Sequence, residues 1–134
     1  MTDIHPDLNH KFQSWPSKAT QHAKDVRALF IQTAQDIDVR DLEESLKWGE
    51  PAWRPQKGGT TLRAAWSAKS PRELGLFVDC KSDLCARMQA DFPNAFRYVA
   101  PRAMYLRLDE PVPTPAVRHL ARMAFRYKRV IPVH

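Results

Sequence analysis

Between residues 52 and 108 the chain alternates apolar and polar residues in five short stretches, each cut off from the next by glycine or proline. That punctuation limits the fold more than any other feature. The stretches AWRPQ and TTLRAAWSA are separated by KGG, LGLFVDC follows the turn SPRE, and FRYVA and AMYLRL come later. A period of two marks a strand with one buried face. Leu62, Ala64 and Trp66 share a face in one stretch, Leu74, Leu76 and Val78 in the next, and Met104, Leu106 and Leu108 in the last. Strands joined by tight turns pair antiparallel, so the expected core is an antiparallel sheet of about five strands.

The rest of the chain reads as helix. From Ala19 to Ala34 apolar residues recur at three and four, and Ser17 after Pro16 can cap, which predicts a helix over 17–35. In DVRDLEESLKW, Asp38 can cap and carboxylates crowd the first turns, with Val39, Leu42 and Leu46 on one side; this predicts a second helix. Gly49 suits its left-handed closing residue and Pro51 forbids its continuation, so WGEP reads as a helix stop. Trp48 and Trp53 would then lock that helix to the sheet. A short helix follows Ser82, with Leu84, Met88 and Phe92 in one stripe, and Thr114 with Pro115 opens a last helix over 115–130. The order is ααβββαββα, helices against an antiparallel sheet: an α+β domain. Residues 1–16 read as an N-terminal extension and 17–134 as a single domain, for which 43% hydrophobic residues supply a core without metal or disulfide.

Charge is unevenly placed. Residues 1–96 balance, so the whole net charge of +6 belongs to the last quarter of the chain. Arg118, Arg122, Arg126 and Arg129 fall on one stripe of the last helix, opposite Val117, Leu120, Ala124, Tyr127 and Ile131. Such a row can hold phosphates or carboxylates, and equally can be a solvated face. It supports a noncatalytic binding protein that recognises an anionic ligand or protein partner, with a homodimer as one form. If the apolar strand faces are buried, Arg63, Phe77, Tyr105 and Arg107 project together, a mixture suited to single-stranded nucleic acid or to cover by a second subunit.

Other chemistries have thinner support. Asp36, Asp38, Asp41, Glu43 and Glu44 could bind a hard cation, although a helix amino terminus explains them as well. The cysteines of CKSDLC, Cys80 and Cys85, are too widely spaced for a zinc knuckle and read as free thiols, with Cys85 near a helix amino terminus that favours thiolate and redox chemistry. KGGT resembles a phosphate loop but leads into a strand, so it reads as a hairpin turn. His119, beside Arg118 and Arg122, is the one histidine to test as acid or base. With no catalytic motif in view, an enzyme is not expected and no cofactor is predicted. The longest apolar runs, such as 74–78, fall far short of the roughly 20 residues that cross a bilayer, and the first residues lack a secretory pattern; no membrane association and a cytoplasmic location are expected.

The segments LEESLKWGEPAW, GGTTLRAAW, GLFVDC and RAMYLRL, followed by a basic helix, resemble the YdhG-like family of small bacterial domains over roughly residues 17–130. The most specific part is Lys-Trp-Gly-x-Pro, formed by Lys47, Trp48, Gly49 and Pro51, with Trp53 just beyond. The resemblance implies an α+β fold comparable with frataxin and offers no catalytic residues to carry over. Through a frataxin-like iron chaperone in that family it also implies iron as a candidate cargo, for which Asp38, Asp41 and Glu44 are the carboxylates to consider.

Overall fold

The computed structural model describes residues 3–127, and they form an α+β domain. Helices α1 (Pro6–Gln13) and α2 (Ser17–Asp36) precede strands β1 (Leu42–Lys47), β2 (Glu50–Pro55), β3 (Leu62–Ala65) and β4 (Glu73–Phe77). Helix α3 (Leu84–Asp91), strands β5 (Arg97–Val99) and β6 (Ala103–Arg107) and helix α4 (Thr114–Phe125) complete the chain. The six strands form one sheet in the order β1-β2-β3-β4-β6-β5, every neighbour antiparallel. No described helix is long and apolar enough to cross a membrane.

The alternation in the sequence is the alternation of the sheet. Trp53, Leu62, Ala64, Leu74, Leu76, Met104 and Leu106 enter one core together with α2 residues Val26 and Phe30 and α4 residues Val117, Leu120 and Phe125. Phe30 meets Trp53 and Phe125 edge-on, at 5.1 and 6.1 Å between centroids. Arg63, Phe77, Tyr105 and Arg107 alternate with the core residues and therefore lie on the sheet's other face.

Two expectations fail at the amino-terminal side. Residues set apart as an extension include α1, with Pro6 in its first turn and Leu8 and Phe12 fully buried. The Thr20 hydroxyl donates to the Phe12 carbonyl and secures the α1–α2 corner. The helix expected from Asp38 is strand β1, so the sheet has six strands rather than five. Asp38 ends α2 instead of starting a helix: at φ 62° it occupies the left-handed position, its N–H donates to Gln35 O, and the Val39 N–H donates to Ala34 O. This is the double hydrogen bond that terminates a helix, normally with glycine.

Leu42 and Leu46 are four residues apart, a spacing that both a helix and a strand place on one face. A buried polar contact goes with the strand. Glu44, between them, faces inward, where its carboxylate accepts from Arg27 Nε at 2.6 Å and Nη2 at 2.9 Å and from the Trp53 indole N–H at 2.7 Å. The Arg27 side chain is only 6% exposed and also donates to Asp3 O. Helix α2, β1 and β2 are thus joined at one node.

The WGEP corner is a hairpin tip. Trp48 and Gly49, at φ 56° and 76°, form a two-residue turn of the mirror-image type, closed by the Lys47–Glu50 pair. Gly49 is left-handed as expected but closes a hairpin, not a helix. Pro51 and Pro55 take non-hydrogen-bonded places against β1 and lie outside the short β2–β3 ladder, so neither missing N–H costs a ladder bond. Trp53 is fully buried, whereas Trp48, expected beside it in the corner, is 92% exposed.

Removing one partner of a buried pair strands the other charge, so Glu44→Ala should destabilise by about 3–5 kcal/mol. Trp48→Ala should stay within about 0.5 kcal/mol, as for other exposed positions. Denaturant unfolding of both variants checks this, and equal losses would contradict the burial of the one and the exposure of the other.

Candidate anion-binding cleft

The loop between β2 and β3 lies against the end of α4. Gly59 N–H donates to Tyr127 O at 2.9 Å and Thr60 N–H to Ala124 O at 2.8 Å, so the loop supplies donors to carbonyls that a helix end leaves over. Gly59, at φ 66°, has no room for a side chain: a Cβ would lie 2.5 Å from Pro55 Cγ and 2.7 Å from Phe125 O. The glycines of KGGT therefore make a turn and a helix contact, in agreement with the hairpin expectation.

This loop, the β1–β2 hairpin and the end of β4 enclose an open cleft of about 810 Å³. Its wall carries Lys47, Arg54, Arg63 and Arg102, with Trp48 at one side. Lys47, Arg54 and Arg63 are on outward-facing positions of adjacent strands. Arg102 arrives from the β5–β6 turn because β6 pairs with β4, and its carbonyl accepts from Val78 N–H at 2.8 Å. Among the described residues Lys47, Arg54 and Arg102 form no ion pair, and Arg63 has a loose one with Glu50 at 3.7 Å. Asp79 is the acidic residue on the wall, and its carboxylate accepts from the Lys81 N–H. A concave surface dominated by one sign of charge concentrates counter-charged ligands, and guanidinium groups bind phosphate or carboxylate oxygens in pairs.

The arginine row expected on the last helix is divided. Arg118 donates to Gln32 of α2 at 3.0 Å and is occupied there. Arg122 and Arg126 line a smaller hollow of about 500 Å³ between α3 and α4, together with Arg87 and Asp83, which pair at 3.8 Å. Helix α4 stops at Phe125, and Arg129 and Ile131 lie outside the described residues. His119 stands at the edge of the same hollow, its Nε2 3.0 Å from Asp91 Oδ2 and its ring against Phe92. It does not line the larger cleft.

Of the outward aromatic and basic residues that the alternation groups on this face, Arg63 belongs to the cleft, Phe77 and Tyr105 pack on each other, and Arg107 is paired with a carboxylate. Phe77 and Tyr105 meet edge-on at 6.1 Å over Gly75, where a Cβ would be 2.8 Å from the Phe77 ring. Arg97 covers the Tyr105 ring at 4.4 Å and grips Glu73 with two hydrogen bonds, which hold that carboxyl below its ordinary range near 4.5. Arg107 is held by Asp109 at 3.0 and 2.7 Å.

The weak metal candidates are not brought together. Asp38 pairs with Arg40 at 2.8 Å, Asp41 accepts from the Lys57 N–H at 2.9 Å, and Glu44 is taken by Arg27 and Trp53. Among the described residues no group of three or more histidine, cysteine or carboxylate side chains is placed to hold a metal ion. Cys85 also departs from expectation. It is buried and its thiol points to Ala103 O at 3.6 Å, and desolvation pushes the thiol up, away from thiolate. Cys80 is exposed at the rim of the cleft. Comparison with protein-family profiles, with curated proteins and with solved structures returns no match.

A thiol-specific chromogenic reagent at neutral pH should therefore titrate one cysteine quickly in the native protein, Cys80, and both after denaturation. Rapid reaction of both in the native state would contradict the burial of Cys85.

Proposed function

We propose that this domain is a noncatalytic binding module whose ligand is an anion held in the cleft between the β1–β2 hairpin, the glycine loop and the β5–β6 turn. One observation carries the reading: Lys47, Arg54, Arg63 and Arg102 converge on a single concavity from separate parts of the chain, and three of them have no ion-pair partner among the described residues. Like charges that face one cleft repel unless something neutralises them. A bound anion does so.

The cleft is favoured over the α4 arginine row because that row is divided, with Arg118 committed to Gln32 and only Arg122 and Arg126 facing a hollow. It is favoured over the Phe77–Tyr105 face because the cations there are already neutralised. The kinship with YdhG-like domains remains part of the proposal, resting on Lys47, Trp48, Gly49 and Pro51, and a cytoplasmic setting goes with it. Those residues build the hairpin on one side of the cleft, which gives the segment a role in the site as well as in the turn.

Isothermal titration with inorganic pyrophosphate checks the reading. Binding should weaken as ionic strength rises toward ~0.15 M, where charges more than about 8 Å apart are screened. Arg54→Glu combined with Arg102→Glu should weaken it by about tenfold or more, as expected when charge-assisted contacts become repulsive. Unchanged affinity in that double variant, with Arg122→Glu and Arg126→Glu abolishing binding instead, would move the site to α4.

A further inference from the structure

Building on the cleft reading, we propose that the anion is a single-stranded nucleic acid, with its phosphates along the basic cleft and one base stacked on Trp48.

Trp48 gives the first reason. It occupies the first central position of a turn that needs a left-handed residue, at φ 56°, where asparagine, aspartate or glycine is favoured and a bulky side chain is strained. Its ring adds nothing to the core, being 92% exposed. A residue that serves neither the turn nor the core, yet lies beside Lys47 on the wall of a cationic cleft, is suited to meet a ligand. What an indole adds to a phosphate site is a flat apolar face, and a nucleobase is the flat group that accompanies phosphate. Phe77 and Tyr105 do not offer the same, because they are packed against each other and Arg97 covers Tyr105.

The second reason is extent. The second hollow, between α3 and α4, shares Tyr127 as a lining residue with the large cleft. That hollow carries Arg87, Arg122 and Arg126, with Arg87 paired to Asp83 at 3.8 Å. Seven cations in two adjoining hollows exceed what one phosphate group can engage. They match a ligand whose charge repeats. Single-strand binding uses this combination, a basic groove for the backbone with aromatic rings spaced along it. A duplex keeps its bases stacked inside and could not present one to Trp48.

The test is fluorescence anisotropy with a labelled single-stranded oligonucleotide of about twelve nucleotides, within the usual span of such sites. We expect binding whose logarithm falls with the logarithm of salt at a slope of about −3 or steeper, from four or more phosphate contacts. Trp48→Ala should weaken it about five- to hundredfold, the usual effect of losing one stacked base. That variant remains informative because the ring takes no part in the core. Arg122→Glu with Arg126→Glu should weaken the oligonucleotide while leaving pyrophosphate binding intact. No binding of the oligonucleotide, equal binding of a duplex, or indifference to Trp48→Ala would each overturn the proposal. If pyrophosphate still binds and is lost in the Arg54→Glu, Arg102→Glu variant, only the nucleic-acid assignment falls; if neither ligand binds, the cleft reading falls with it.

Discussion

The Arg27–Glu44–Trp53 node fixes how the amino-terminal half assembles. A carboxylate that faces the core between two leucines is costly unless its charge and hydrogen-bonding capacity are met. Arg27 of α2 meets both, and the Trp53 indole N–H fills a further acceptor site on Glu44 Oε2. Because side chains alternate along a strand, a slip of one residue in β1 would turn Glu44 outward and take its carboxylate away from the buried Arg27. The node therefore sets the register of β1 on β2, and with it the place of the Trp48–Gly49 tip. It also draws Trp53 to its edge-on contact with Phe30, so that polar and apolar constraints act on the same residue.

The cleft follows from that register. With Glu44 inward, Lys47 is outward, and on β2 Trp53 inward requires Arg54 outward. The β2–β3 ladder adds Arg63 on the same face, opposite Ala52. The glycine loop, held against α4 by the Gly59 and Thr60 hydrogen bonds, bounds the cleft without filling it. Gly75 has a parallel effect farther along the sheet: its missing side chain lets the Phe77 and Tyr105 rings lie down over the strands. One face of the sheet is thus divided into an aromatic, charge-paired part and a cationic part where, among the described residues, Lys47 and Arg54 form no ion pair and Arg63 has a loose one with Glu50.

Much of the fold was legible in the sequence because its signals are local. Glycine or proline stands in each connection between β2 and β6, apolar alternation assigns the strand faces, and the three- and four-residue recurrence finds α2. The buried stripe of α4, Val117, Leu120 and Ala124, was legible for the same reason. Strand β1 was not, since Leu42 and Leu46 fit either period and the acidic residues around them mimic a helix start. The interaction that accompanies the strand comes from Arg27, outside any local window. Helix α1 had local signals, Pro6 followed by Leu8 and Phe12, but they are confined to two turns near the end of the chain. Trp48 reads as core by residue type, and only the hairpin turn shows it exposed.

The site was legible in part. Arg63 could be placed on the outward face by alternation, and Arg54 could have been by the same rule once β2 was paired. Arg102 could not, because it joins the others through the β4–β6 pairing, which crosses over α3 and β5. Charge counts pointed to the last quarter of the chain, whereas three of the four cleft cations come from the balanced part. The most direct measurement is a two-dimensional amide and indole NMR titration of the labelled protein with pyrophosphate. We predict shifts confined to the Lys47–Gly49 tip including the Trp48 indole, the Arg54–Arg63 hairpin and Arg102; shifts centred on Arg118 and Arg122, or on Phe77 and Tyr105, would contradict a binding site in the cleft.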